Sequence, residues 1–316
     1  MENKIIIEKF KIPEAGYEIL DRILTDKDKQ LIIRLPAEQC ISPQKLAEFL
    51  IEWKLAKDHA EAEMLIRLYF HRGILNKGED GVSYCLGSFY GRLDIFATEE
   101  IKAYDLLPRE CKERLDAWYF KAYTDSLGET KNKRPTQDEV LPLWDVLSFI
   151  DGRDDTPYLA LCDCRRLIQN CGQPTETCIT YRTAPNSFVK RGQARAITKE
   201  EAKEIVRMAD KKGLIHTINP GGICNCCTDC CYLFRGARYR NSLGIWPKVS
   251  YCVKIDLEKC IGCGKCRKRC RFKVFSTEGD LCIQNADRCQ GCGLCVTGCP
   301  GGALMLEKRN EDGDCG

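Results

Sequence analysis

A cysteine spacing that occurs twice limits this chain more than any other feature. Cys260, Cys263, Cys266 and Cys270 read C-x2-C-x2-C-x3-C, and an offset of 29 residues carries all four onto Cys289, Cys292, Cys295 and Cys299. Pro300 follows the second run, and Arg271 follows the first. Three thiolates spaced in this way can wrap one face of a compact metal–sulfur centre only if the backbone coils tightly around it. Gly262, Gly264, Gly291 and Gly293 sit where such coiling needs close approach and positive φ. N–H groups in such a loop can also point at sulfur and tune the centre they surround. Zinc sites typically pair two C-x2-C knuckles across a long spacer, so this spacing favours iron–sulfur cubanes over zinc.

Twenty-three cysteines in 316 residues far exceed ordinary usage, and the length allows about two domains with real cores. A disulfide-dense miniprotein, which staples a core too small to hold itself, is excluded. Met1-Glu2-Asn3-Lys4 carries neither the basic nor the apolar segment of a secretory signal. No apolar run approaches the ~18 residues that span a bilayer. The expectation is a cytoplasmic protein without a membrane span, its thiols reduced and holding metal. The three histidines, His59, His71 and His216, give little basis for His-rich zinc or haem chemistry. A net charge of +3, from 49 basic and 46 acidic residues, favours neither nucleic acid nor membrane globally.

Cysteine distribution divides the chain. Cys40, Cys85 and Cys111 are scattered singly in the front half, as small buried hydrophobes are. Cys162, Cys164, Cys171 and Cys178 form one middle group, and Cys224, Cys226, Cys227, Cys230 and Cys231 another. Cys252, Cys282 and Cys315 stand alone and are expected to bind nothing. The reading is α+β and multidomain. It has a winged-helix-like helical domain with a connector helix over 1–127, a linker over 128–137, and a small α/β cysteine-rich domain over 138–250. A two-cluster module follows over 251–308, then an acidic tail over 309–316.

In the middle domain, Tyr158-Leu159-Ala160-Leu161 reads as a short buried strand delivering Cys162-Asp163-Cys164-Arg165, with Cys171 and Cys178 in a following loop. Thr198 and Glu201 form a capping box. Ala202, Ile205, Val206 and Ala209 then give helical spacing up to Gly213. Leu214-Ile215-His216 reads as a strand, and Gly221-Gly222 opens a loop holding the second cysteine group. Two cysteine-dense segments bracketing one strand–helix–strand unit suggest a common site. Nine thiols supply one cubane with spares, or two with one left over. Adjacent pairs such as Cys226–Cys227 point apart, which leaves open two neighbouring sites, a non-cubane cluster, zinc, or redox-active thiols.

In the front half, Ser42 and Pro43 take the N-cap and N1 positions of a helix with an apolar stripe of Leu46, Phe49, Leu50 and Trp53. A second helix starts at Asp58 with Glu61 in a box-like cap, runs through Leu65, Leu68 and Tyr69, and ends at Gly73. Ile74-Leu75 and Val82–Leu86 flank a turn over Gly78–Gly81, a hairpin pattern. Helix, helix, hairpin resembles a winged helix-turn-helix. A recognition helix presenting Asp58, His59, Glu61 and Glu63 lacks the basic residues DNA requires, so protein docking is the better reading. Residues 98–124 read as one further helix.

The C-terminal repeat resembles the bacterial two-cluster ferredoxins, and the resemblance implies a β-α-β-β-α-β module with two [4Fe–4S] clusters. In that family the fourth cysteine of each run ligates the other cluster. One ligand set would be Cys260, Cys263, Cys266 and Cys299, and the other Cys289, Cys292, Cys295 and Cys270. Eight basic residues between 252 and 273 face only Asp256 and Glu258. Such charge raises cluster potential and offers an acidic redox partner a docking face near Lys265–Lys273. Across roughly 135–305, the C-x-C-R, C-N-C-C-x2-C-C and ferredoxin segments together resemble 4Fe–4S binding proteins of anaerobic bacteria and archaea. That resemblance implies electron transfer, with one or two additional Fe–S clusters on the middle cysteines, and defines no substrate. Neither a nucleotide-binding glycine motif nor a catalytic triad spacing is present. The leading expectation is an electron-transfer protein or subunit serving a partner redox enzyme. The alternatives are a reductase or reductive activator centred on the middle cluster, and a redox-sensing winged-helix regulator.

Overall fold

The computed structural model describes residues 2–128, 134–278 and 281–310. Residues 129–133 of the expected linker, and 311–316 of the expected tail with Cys315, lie outside the described residues. The chain forms two compact units. One comprises 1–121 with 166–168 and 182–195, and the other comprises 122–165, 169–181 and 196–316.

The first unit opens with α1 (Glu2–Lys9), α2 (Leu20–Ile23) and α3 (Asp26–Arg34). Thr25 and Asp28 cap α3 reciprocally, satisfying two otherwise orphaned backbone N–H groups. Then come α4 (Pro43–Glu52), capped by Ser42, and α5 (His59–His71), capped by Asp58, with Glu61 accepting from the Lys57 N–H at 2.9 Å. These starts agree with the sequence. On α5 the buried stripe is Ala62, Leu65, Ile66 and Tyr69, whereas Leu68 is 45 % exposed. Ile66 lies three residues before Tyr69 and four after Ala62, so it takes the core-facing place expected of Leu68.

β1 (Leu75–Lys77) and β2 (Tyr84–Leu86) form the expected hairpin. Ile41 and Tyr84 exchange both backbone hydrogen bonds at 2.8 Å. The next antiparallel pair, Cys40 and Cys85, is therefore a closely approached one, with Cα atoms 4.2 Å apart, and it is joined by a disulfide. The sequence reading of both as lone reduced residues is corrected on this point, because the pairing partner lies 45 residues away.

The single helix expected over 98–124 is three: α6 (Phe89–Glu99), α7 (Ile101–Asp105) and α8 (Arg109–Ser126). Pro108, with no N–H to donate, sits immediately before α8. Glu100 leaves helical geometry at the first break and accepts from Arg92 at 2.5 Å and Arg72 at 3.2 Å. Arg92 is fully buried and also donates to the Ile23 carbonyl at 2.8 Å.

The second unit contains β3 (Glu139–Leu141), α9 (Leu143–Asp151), β4 (Tyr158–Leu161), the start of α10 (Asp163–Ile168), whose last three residues belong to the first unit, and β5 (Glu176–Thr180). The short α11 (Phe188–Arg191) belongs to the first unit. Then follow β6 (Arg195–Ala196), α12 (Lys199–Lys211), β7 (Ile215–Asn219), β8 (Gly222–Cys226), α13 (Tyr232–Tyr239) and β9 (Lys248–Val249). The strands make one sheet, ordered β6-β4-β5-β8-β7-β3-β9. Alternate residues face opposite ways along each strand. Leu141, Ile179 and Ile223 therefore pack with Val146 and Ile150 of α9 and Ala202 and Val206 of α12. Val140, Ile215 and Cys226 pack instead with Phe234 and Ala237 of α13 and with Trp246. Thr198 caps α12 and Gly213 ends it at φ 77°, as expected.

The C-terminal elements are β10 (Tyr251–Ile255), α14 (Lys265–Arg269), β11 (Phe275–Glu278), β12 (Leu281–Gln284), α15 (Leu294–Thr297) and β13 (Leu304–Lys308). β10 pairs with β13 and β11 with β12, both antiparallel, so the order is β-α-β-β-α-β. Among the described residues no helix is long and apolar enough to cross a membrane.

The buried Arg92 supplies a test of the first unit. Glu100→Ala leaves that guanidinium without its carboxylate, a loss of about 3–5 kcal/mol. Leu68→Ser, on an exposed position, should stay within about 0.5 kcal/mol of the parent. Hydrogen exchange of the α3 and α6 amides reads both. Unchanged protection in Glu100→Ala would refute the role given to this network.

Candidate metal centres

The two cysteine runs wrap two cavities. The first, about 530 Å³, is lined by Cys260, Cys263, Cys266 and Cys299, with Ile255 and Leu304. The second, about 310 Å³, is lined by Cys270, Cys289, Cys292 and Cys295, with Val253, Phe272 and Phe275. The last cysteine of each run thus lines the cavity of the other. Gly264 and Gly293 occupy the positions just before α14 and α15 with φ of 64° and 72°, and Gly262 and Gly291 have φ of 64° and 63°. A Cβ on Gly291 would lie 2.5 Å from the Tyr251 carbonyl oxygen, so the loop closes only with glycine there.

The two cavities differ in environment. Cys263 is exposed, so the first opens to the surface, whereas Cys289 and Cys295 of the second are buried. Burial pushes the Cys292 thiol up to about 12. A thiol in that position becomes a thiolate at neutral pH only when a cation takes the proton's place. Cys282, expected to stand alone, lines the first cavity with its Sγ 3.8 Å from that of Cys266. Cys252 is buried in the module's core.

The nine middle cysteines divide into two sets. Cys162, Cys164, Cys231, Cys226, Cys224 and Cys178 form a closed ring in which each thiol interacts with the next. Hydrogen bonds from their neighbours hold Cys162, Cys224 and Cys231 below the usual thiol range and Cys164, Cys178 and Cys226 above it. Cys171, Cys227 and Cys230 form the second set, their sulfurs all within 4.8 Å of one another.

Strand geometry explains the ring and corrects the sequence reading. Cys178 lies in β5, and Cys224 and Cys226 lie in β8, where loops were expected. Ile179 pairs with Ile223 and Thr180 with Gly222, which places Cys178 opposite Cys224 on the same face. Cys226 follows two residues on and shares that face. Cys162 and Cys164 sit at the start of α10, just after β4.

A polar frame that the sequence reading left without a role backs the ring. Arg165 is 2 % exposed and donates to the Asn225 carbonyl at 2.6 Å and to Thr177 Oγ1. Burial alone would lower its pKa, but the charges of Cys162, Cys178, Cys226 and Cys227 hold it above the usual guanidinium range. Asn225 donates to the Thr177 carbonyl at 2.6 Å, and its Oδ1 lies 2.6 Å from His216 Nδ1. Burial, reinforced by Cys162, pushes the Asp163 carboxyl up to about 7. The only sequence signal for this frame was position: Arg165 and Asn225 each stand next to paired cysteines.

The second cavity is fastened to the middle sheet. Arg269 donates to the Asp210 carbonyl at 2.9 Å and to Leu294 O at 2.7 Å, while Thr297 Oγ1 donates to Asp210 Oδ1 at 3.2 Å. Leu294 and Cys292 join the apolar cluster that contains Cys226, Cys231, Leu233, Phe234 and Trp246. Of the basic run, Lys265, Arg267, Lys268, Arg271 and Lys273 are exposed, but Arg269 is turned inward to Asp210.

Residues 253–276 and 282–305 match the 4Fe-4S binding domain family. An uncharacterized ferredoxin of Methanocaldococcus jannaschii is 40% identical over 58 residues, covering 17% of this chain and 94% of that protein. Pyruvate synthase subunit PorD of Methanothermobacter marburgensis is 30% identical over 23% of this chain and 85% of its own length. Ferredoxin-3 of Rhodobacter capsulatus is 32% identical over 16% of this chain and 74% of its own length. No solved structure matches. The two 4Fe–4S binding segments supply iron–sulfur electron transfer, and through this C-terminal module the chain belongs to the ferredoxin family.

Proposed function

We propose that this protein carries electrons through three or more iron–sulfur centres in series to a partner redox enzyme. Cys260, Cys263, Cys266 and Cys299 hold the entry cubane, and Cys289, Cys292, Cys295 and Cys270 hold the second. A further cluster on the six-thiol ring is the exit. The observation that carries this order is the shared apolar cluster. Cys292 of the second cavity packs in one water-poor seam with Cys226 and Cys231 of the ring. Exposed Cys263, with Ile261 67 % exposed, places the first cavity at the surface beside Lys265, Arg267 and Lys268. That similarity to a subunit of pyruvate synthase favours a subunit or dedicated donor of a larger redox enzyme over an isolated carrier. The cysteine-rich domain over 138–250 and the ferredoxin module over 251–308 then act as one relay, in a cytoplasmic, anaerobic setting.

The first unit fits a winged-helix-like module in this reading. α3, the Ile41 bridge strand, α4, α5 and the β1–β2 hairpin follow one another in that arrangement. His59 and Glu63 at the start of α5 are exposed and offer no phosphate-binding surface. Docking to protein is favoured over a DNA-binding regulator.

Two experiments test the relay. Anaerobically purified protein should contain about twelve or more irons, of which about eight belong to the ferredoxin pair. Cys178→Ser with Cys224→Ser should remove the iron of the ring cluster and spare the ferredoxin EPR signals. Cys299→Ser should perturb the cubane of the first run, and Cys270→Ser that of the second. About eight irons in the parent protein would end the proposal of a middle cluster. Lys265→Glu with Lys268→Glu should slow reduction by an acidic donor about tenfold or more at low salt, a difference that closes as salt rises. Equal rates at low salt would place docking elsewhere.

A further inference from the structure

The C-C-x2-C-C segment sends its four thiols to two places. Cys226 and Cys231, the outer pair, belong to the ring, while Cys227 and Cys230, the inner pair, turn away from it and meet Cys171. At the end of β8 neighbouring residues project to opposite sides, so Cys226 and Cys227 divide between the two sets, and the following turn returns Cys230 to Cys227. The turn over Thr228 and Asp229 brings the Cys230 N–H to 3.3 Å from the Cys227 sulfur. Cys230 and Cys171 place their sulfurs 3.6 Å apart.

That distance identifies what the trio can hold. Thiolates around one tetrahedral ion at a metal–sulfur distance of about 2.3 Å lie about 3.8 Å apart. The four thiols of each ferredoxin site surround an open cavity instead of converging on one point. Among the described residues the sulfurs of Cys171, Cys227 and Cys230 converge within 4.8 Å, and no fourth Cys, His, Asp or Glu joins them. Cys227 and Cys230 are buried, Cys171 is half-buried, and Asn170, Gly172 and Asp229 beside them are exposed.

We infer that Cys171, Cys227 and Cys230 bind a single thiophilic divalent ion, zinc or ferrous iron, separate from any cluster on the ring. Among the described residues three thiolates leave the fourth tetrahedral position open to a further ligand, water or a soft thiolate. Such an open position distinguishes reactive metal sites from closed structural ones. Binding releases thiol protons to water and changes no oxidation state. This site deepens the relay proposal by holding a substrate beside the ring, where the substrate and not the ion takes the electrons.

The test is metal and sulfide analysis of the anaerobic full-length protein labelled with iron-57. Elemental zinc, or a high-spin ferrous Mössbauer doublet, should account for one ion per chain beyond the clusters, and says which metal it is. Cys227→Ser with Cys230→Ser should lose that ion while acid-labile sulfide stays constant. Loss of iron together with sulfide would assign these thiols to a cluster, and loss of nothing would leave them without metal. Either result overturns the inference. Unchanged ferredoxin EPR reports folding, and the half-buried Cys171→Ser decides if the double variant misfolds. Cys178→Ser with Cys224→Ser should lose the sulfide of the ring cluster while the ferredoxin sulfide and the ion remain. If the sulfide content there equals that of the parent, the ring cluster fails and the single-ion site stands.

Discussion

Side-chain alternation along β8 is the constraint on which the middle of this protein depends. Ile223 and Asn225 face α9 and α12, while Cys224 and Cys226 face α13 and the ring. A register slip of one residue would exchange the two sets, putting thiols in an aliphatic core and isoleucine in the ring. Asn225 holds the register. Its buried amide is satisfied by Thr177 on β5 and His216 on β7, so the strands on both sides are tied to one residue. A slip would orphan those groups, at about 1–3 kcal/mol for each buried polar group left unsatisfied.

The same face fixes how the ferredoxin module meets the sheet. Leu294 enters the cluster formed by Trp246, Phe234 and Cys226, while Arg269 and Thr297 clamp Asp210 at the end of α12. Apolar packing supplies a water-poor seam, and the polar clamp sets the orientation, because hydrogen bonds are directional and apolar contact is not. The inward turn of Arg269 therefore removes one cation from the basic surface and uses it to position the second cavity.

What the sequence made legible was what depends on short separations. Helix starts at Ser42, Asp58 and Thr198 follow from side-chain oxygens capping N–H groups three residues on, and each is present. The ferredoxin loops were legible for the same reason, since spacing and glycine positions encode the coil directly. The ring was not. Its six thiols come from three separate segments, and β8 was hidden because its buried face alternates an isoleucine with an asparagine instead of two apolar residues. Asn225 reads as a loop residue until His216 and Thr177 are seen to satisfy it. The Cys40–Cys85 disulfide was hidden likewise, since only the Ile41–Tyr84 bridge brings the two together.

Charge gives the relay a direction. A metal–sulfur centre on the ring would concentrate negative charge in the interior, where an uncompensated charge is costly. Arg165 is placed to offset it, held by Asn225 and Thr177 and shielded from water at 2 % exposure. In that environment a guanidinium acts at close to full strength, and it remains protonated throughout. A fixed cation favours the more reduced, more negative state of the centre beside it. The exposed basic residues near the first cavity act through solvent and are screened over about 8–10 Å. Of the two sources of positive charge, the buried one therefore has the larger influence on potential. In the proposed relay, electrons entering at the surface would move toward Arg165, with a cluster on the ring as the acceptor end and not the entrance.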